Sequence, residues 1–210
     1  MLTIACVLKC GGDYGSEHVT RLQDSIFGHL NLTHRFVCLT DGDVGCEKIP
    51  LPHRWPGWWA KICLFQPGIF DGPVVYFDLD VLITGMLDPM VLGHNFTMLR
   101  SFWPNGNVNS SVLAWCADGL TQIYAQFAAK PEFWMDRYRY PDKWGDQDFI
   151  FDHAPVDPDY WQDKYPGAFR SYKLDVKKNG GKIPEGTKAV IFHGQPRPWN
   201  TEIGRRYASC

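Results

Sequence analysis

Two aspartates, Asp78 and Asp80, follow the apolar run Val74-Val75-Tyr76-Phe77 with only Leu79 between them. Two carboxylates a few ångströms apart repel, and partial burial raises the cost of keeping both charged. Residues i and i+2 of a strand point to one face. Read as the end of a strand, the acids project together and Leu79 faces the other way. A divalent cation between them turns repulsion into attraction. Hard oxygen ligands suit Mg²⁺ or Mn²⁺, and an added imidazole favours Mn²⁺. His193, at the end of "KAVIFHG" (188–194), is the candidate imidazole. The bland alternatives are that one acid is solvated while the other caps a turn, and that His193 is a core histidine bonded to a carbonyl; an isolated Asp-x-Asp is a common pattern.

The elements that must position these residues follow from hydrophobic patterning. "LTIACVLK" (2–9), "HRFVCLT" (34–40) and "PVVYFDLD" (73–80) read as buried strands, with Pro73 tolerated at a strand start. A helical pattern covers about 16–30, and "GWWAKICLFQPG" (57–68) reads as a short helix stopped by Pro67 and Gly68. Strand, helix, strand, helix, strand predicts parallel βαβ units in an α/β fold, a mostly parallel central sheet with helices on both faces. Ligands of such sheets bind beyond the carboxyl ends of the strands, where Asp41, Asp43, Asp78 and Asp80 fall. Farther on, "NFTMLRSF" and "SSVLAWC" read as strands, "DGLTQIYAQFAA" as a helix, "GDQDFIFDHA" as a short helix and "KAVIFHG" as a late strand.

At 210 residues, 45% apolar and 21% charged, the chain suits one globular domain. Its net charge of −2, with no long block of like charge, argues against a nucleic-acid or membrane surface. The seven cysteines (6, 10, 38, 46, 63, 116 and 210) are odd in number and form no Cys-x-x-Cys, so a reducing, cytoplasmic setting is expected. The opening "MLTIACVLKCGG" lacks the basic leader and long apolar core of a signal peptide, and no apolar run approaches the ~20 residues of a membrane span. Nine tryptophans, most beside proline, glycine or charge, offer rings with a free face for flat apolar surfaces such as those of sugars.

"VVYFDLDVLITGMLDPM" resembles the metal-binding strand of the GT-A glycosyltransferases, in particular glycosyltransferase family 8. Further islands resemble that family in its order: "GGDYGSEHV", "WWAKICLF", "NVNSSVLAW", "WGDQDFIF" and "IFHGQPRPW". The resemblance implies a GT-A fold over 1–210, with a nucleotide-binding half to about residue 90 and a sugar and acceptor half after it. It implies a retaining transfer of a sugar from a nucleoside diphosphate sugar, a UDP-sugar, to a saccharide or other hydroxyl acceptor.

The resemblance assigns Asp78, Asp80 and His193 to Mn²⁺ or Mg²⁺, with Leu79 between the acids at the donor. It sets the Tyr14 ring against the base and Lys61 and Arg197 at the diphosphate, and it orients the donor sugar through Asp146, Gln147 and Asn109. Asp41 is a candidate for the base or ribose, or a cap. Each also has a plain structural reading: Tyr14 packs on the first helix, Lys61 snorkels over rings, Asp146 caps a helix, Asn109 makes a turn and Arg197 solvates a loop. The chain departs from the family's His-x-x-Gly-x-x-Lys-Pro-Trp ending in two ways: His193 directly precedes Gly194, and Arg197 replaces the lysine. The shortness of the chain also predicts trimmed acceptor-binding insertions.

Two other classes fit part of the pattern. A phosphatase of the haloacid dehalogenase type also ends an apolar strand in Asp-x-Asp, with Asp78 then the nucleophile, but that strand usually opens the chain. A non-catalytic carbohydrate-binding protein on the same fold is the other.

Overall fold

The computed structural model describes residues 1–104 and 106–207; Cys210 lies outside the described residues. Ten strands form two sheets: β1 (Leu2–Leu8), β2 (His34–Thr40), β3 (Glu47–Pro50), β4 (Pro73–Phe77), β5 (Val81–Ile83), β6 (Phe96–Arg100), β7 (Val108–Cys116), β8 (Asp159–Tyr160), β9 (Phe169–Ser171) and β10 (Ala189–Ile191). The α-helices are α1 (Ser16–His29), α2 (Thr121–Ala129), α3 (Pro131–Arg137), α4 (Asp146–His153), α5 (Trp161–Lys164) and α6 (Glu202–Tyr207). The large sheet has the order β3-β2-β1-β4-β7-β6-β8. It is parallel except where β7 pairs antiparallel with β4 and β6. The small sheet, β5-β10-β9, has one antiparallel and one parallel pair.

Alternation along the central strands explains why both faces of the large sheet are covered. Ile4, Cys6, Val75, Phe77, Val112 and Ala114 pack into one apolar cluster with Val19, Leu22 and Ile26 of α1. Their neighbours Ala5, Val74, Tyr76, Leu113 and Trp115 face the other way, onto Ile62, Ile123, Phe127 and Phe149. Trp161 locks the edge, fully buried with its indole N–H donating to the Val112 carbonyl at 3.0 Å.

Most expected elements fall within a residue or two of their predicted bounds, and two differences bear on function. The helix expected over 57–68 is a 3₁₀ helix, Gly57–Phe65, almost wholly buried. β4 stops at Phe77, and Asp78 to Val81 form a turn closed by the Val81 N–H on the Asp78 carbonyl at 3.1 Å. Strand alternation therefore does not set the directions of the two acids; the turn does.

Trp161→Ala leaves a large cavity and an unpaired carbonyl, so it should cost about 3–5 kcal/mol of stability. An unfolding free energy from urea denaturation lowered by less than a quarter of that amount would contradict the packing.

Candidate active site

The parallel strands β1, β2 and β4 deliver their carboxyl ends to one edge of the sheet, and the amino end of β7 arrives there because it runs antiparallel to β4. The Asp78 N–H donates to the Ser111 carbonyl at 2.8 Å, fixing the acid turn against β7. β5 continues from the turn and pairs Val81 with Ile191 of β10, so the loop after β10 falls beside Asp80.

The two acids have separate partners. Asp78 accepts from the Tyr76 hydroxyl and lies 3.0 Å from the Lys61 ammonium. Asp80, almost fully buried, accepts from the Tyr14 hydroxyl at 2.9 Å and from the Arg197 guanidinium at 2.5 Å. Leu79 between them is buried, and its carbonyl accepts from Arg21 at 2.7 Å. Asp146, the first residue of α4, is buried 2.9 Å from Lys61 and accepts from the Ser110 hydroxyl at 2.8 Å. Gly145 sets that helix start with φ of 67°, and a Cβ there would stand 2.6 Å from the Trp58 indole nitrogen. Glycine is required on both counts.

Lys61 thus joins Asp78 and Asp146 from below. Its three N–H groups meet Asp78, Asp146 and the Ser110 hydroxyl, at 2.8 Å for the last, so none is left for a donor phosphate. Burial works against its charge, but the two acids overcome that and raise its pKa. Burial likewise raises Asp146, against the pull of Lys61. Burial and the charge of Asp78 push Asp80 up to about 6, despite Arg197 and Tyr14. Lys61 and Arg197 pair with these acids, of which Asp78 is half-buried, and the Arg21 guanidinium adds positive charge near Asp80; Asp80 still falls short of full compensation, because burial and the Asp78 charge keep its pKa raised.

That shortage is the test of a cation at the acid pair, and a hard divalent ion fits it. Two carboxylates suffice for Mg²⁺ or Mn²⁺ when donor oxygens and water complete the shell. The expected third ligand does not fit. β10 ends at Ile191, and the imidazole of His193 shares a hydrogen bond of 2.7 Å with the Ser171 hydroxyl. Its ring is stacked on Phe102 and edge-on to Trp103. Burial and the nearby Lys173 charge lower its pKa to about 4. Among the described residues, no group of three His, Cys, Asp or Glu side chains is poised to hold a metal. Spacing explains the miss. Counted back from Pro198-Trp199, Gly194 takes the place of the motif's glycine and the histidine's place falls on Ile191, fully buried in β10.

The remaining expected residues divide. Tyr14 is at the acids, with the Arg197 guanidinium 5.0 Å over its ring and Trp199 packed against its edge. Arg197 also reaches Asp13 at 3.4 Å, and its Nε is buried without a partner. Asn109 lies at the start of β7, where its side chain accepts the Ser111 N–H at 3.0 Å. Gln147 follows Asp146 half-buried. Asp41 sits apart, at the end of β2, paired with Lys9 and the Cys10 N–H; these overcome its slight burial and lower its pKa to about 2.

Sequence reasoning missed Tyr76 and Arg21. Tyr76 was open to discovery, because it stands two residues before Asp78. Arg21 lies on α1, and nothing in its spacing points to the Leu79 carbonyl or to the Trp199 ring 4.9 Å from its guanidinium.

Comparison with solved structures follows from this geometry. The glycosyltransferase GlyE of Streptococcus pneumoniae TIGR4 superposes with a TM-score of 0.73 at 16% identity, over 100% of this chain and 61% of GlyE. The galactosyltransferase LgtC, solved with donor and acceptor sugar analogs, superposes with a TM-score of 0.66 at 14% identity, over 99% of this chain and 94% of LgtC. The bifunctional glycosyltransferase WbbM gives 0.61 at 14% identity, over 98% of this chain and 48% of WbbM. The chain has a glycosyltransferase fold of the GT-A type. It spans about three fifths of GlyE. No family model matches the sequence, and no curated protein does. At these identities the likeness is one of fold, and chemistry has to be argued from the site.

Lys61→Met leaves buried Asp146 and half-buried Asp78 without their cation, which should cost about 3–5 kcal/mol near pH 7. Without the cation the folded pKa of Asp146, already raised by burial, rises further above its unfolded value, so the folded state binds more protons and the variant gains stability as pH falls toward 5. Denaturation at pH 5 and 7 reads both effects, and an equal deficit at the two would contradict the charge cluster. His193 has the opposite sign. Its folded pKa of about 4 lies below the usual 6.5, so its contribution is present above 6.5 and lost as pH falls toward 4. Wild type should therefore lose more stability than His193→Gln between pH 7 and pH 4, and parallel curves would place the imidazole elsewhere.

Proposed function

We propose that the chain is a metal-dependent glycosyltransferase that moves a sugar from a nucleoside diphosphate sugar, a UDP-sugar by family resemblance, to a hydroxyl acceptor with retention. The observation that carries this reading is the cluster of half-buried Asp78 with buried Asp80 and Asp146 beyond the carboxyl ends of the parallel strands, where burial and the Asp78 charge keep the Asp80 pKa raised. Asp78 and Asp80 would hold Mn²⁺ or Mg²⁺, which when bound neutralises negative charge on a leaving diphosphate as a Lewis acid.

The chain's own groups do the rest. Arg197 presents a planar fork suited to phosphate beside Asp80. Tyr14 offers its ring to the base, and Asp41 lies farther along the same edge for the base or ribose. Asp146, Gln147 and Asn109 orient the donor sugar, and the Asp146 carboxylate stabilises positive charge developing at the sugar carbon. Lys61 is a positioning residue that bridges Asp78 and Asp146. Residues 1–90 serve the nucleotide and the remainder serves the sugar and acceptor. Cysteine usage supports a reducing, cytoplasmic setting: the six described cysteines are all free. Among the described residues no helix is long and apolar enough to cross a membrane.

Thermal shift with UDP, GDP and ADP, each with and without Mn²⁺, should give a metal-dependent rise with one nucleotide. Asp80→Ala should abolish that rise and lower turnover by at least about 10²–10³-fold. A variant with near-wild-type rates in excess metal would remove the acid pair from the chemistry.

A further inference from the structure

A cavity of about 510 Å³ is bounded by the loop that leads into Arg197, lined by Trp103, Lys173, Leu174, Lys177, Lys178, Gln195 and Pro196. Three of its seven lining residues are lysines and none is acidic. The charged side chains at the acid pair have partners, whereas half-buried Lys173 and exposed Lys177 and Lys178 take part in no ion pair or side-chain hydrogen bond among the described residues. Three like charges within six residues repel one another, and an anion among them relieves that repulsion.

The lysines are held by built structure. Lys173 is half-buried on a π-helical turn, Tyr172–Val176, a rare conformation frequent at functional sites. Ser171 caps that turn, accepting the Leu174 N–H at 3.1 Å while its hydroxyl also meets His193. Gly194 of the facing loop adopts a left-handed φ of 77° and lies beside Lys173, since a Cβ there would stand 3.7 Å from the ammonium, in ordinary contact. Trp103, 44% exposed and edge-on to His193, supplies a ring with a free face. The cavity thus combines cations at one part of its wall with an indole and the apolar Leu174 and Pro196 at another. A flat, partly apolar ring bearing an anionic substituent matches that lining.

Position relates the cavity to the chemistry. Pro196 lies in its wall, and the next residue, Arg197, holds Asp80. The cavity wall and the acid pair are thus joined by adjacent residues of one loop. We propose that this cavity is an acceptor subsite for a saccharide carrying a phosphate or carboxylate group, recognised by Lys173, Lys177 and Lys178 with Trp103 against the sugar ring. The acceptor role rests on the glycosyltransferase reading above; the preference for an anionic saccharide does not.

Calorimetric titration of the full chain with glucose, glucuronate and glucose 6-phosphate, with and without UDP, tests both parts. The charged sugars should bind at least roughly tenfold more tightly than glucose, and their binding should weaken with added salt. Lys177 and Lys178 are exposed, so the double variant Lys177→Ala, Lys178→Ala should fold normally and lose most of that advantage. Trp103→Ala should weaken all three sugars, and UDP affinity should be unchanged in both variants. Equal binding of glucose and glucose 6-phosphate to wild type would overturn the proposal. So would a double variant that loses UDP affinity and leaves sugar binding intact, since the lysines would then serve the donor diphosphate. Wild type that prefers the charged sugars without binding any nucleotide would keep the anionic site and remove its acceptor role together with the transferase reading.

Discussion

Everything near the candidate site is arranged around keeping three carboxylates close together inside a folded protein. Asp78, Asp80 and Asp146 are each largely withdrawn from water, and a buried carboxylate without compensation costs several kcal/mol. Lys61 satisfies two of them at once and Arg197 satisfies the third. Hydroxyls of Tyr76, Tyr14 and Ser110 supply one further donor to each acid. Burial and the neighbouring Asp78 charge nonetheless keep the Asp80 pKa raised.

The scaffold makes this arrangement possible by convergence of chain segments far apart in sequence. The carboxyl ends of β1 and β4 bring Tyr14 and the acid turn together, and antiparallel β7 brings Ser110 against them. α4 begins at Asp146 because Gly145 adopts a left-handed φ that a side chain would oppose, pressed against Trp58. The small sheet performs the longest-range task. It pairs β5, just after the acids, with β10, so that the loop holding Arg197 closes over Asp80 from more than a hundred residues away.

That loop also joins two electrostatic environments. Arg197 pairs with Asp80 and Asp13, whereas the preceding Gln195 and Pro196 line a cavity whose wall holds three lysines and no acidic residue. Neighbouring stretches of one loop therefore face opposite charge balances.

Much of the frame was legible in the residues alone. Buried strands such as β1 and β4 declare themselves by apolar runs with period-two alternation, and Asp78 and Asp80 by charge set against such a run. Asp146 and Arg197 were legible only through resemblance, because a single acid after glycine or a single arginine between prolines has many plain uses. Three things needed the tertiary structure. Strand parity does not set the directions of the acids, because β4 ends three residues earlier than its pattern suggests and a turn takes over. His193 looked like a ligand because sequence spacing does not reveal where β10 stops; its place in the register belongs to Ile191, and the imidazole instead bonds Ser171. The role of Lys61 depends on which acids surround its ammonium, and those come from β4 and α4, distant in sequence. Sequence thus determined which charges the chain had to accommodate and the strands that would carry them; only long-range packing decided which charge met which, because ion pairing depends on distances that loops and sheet register set.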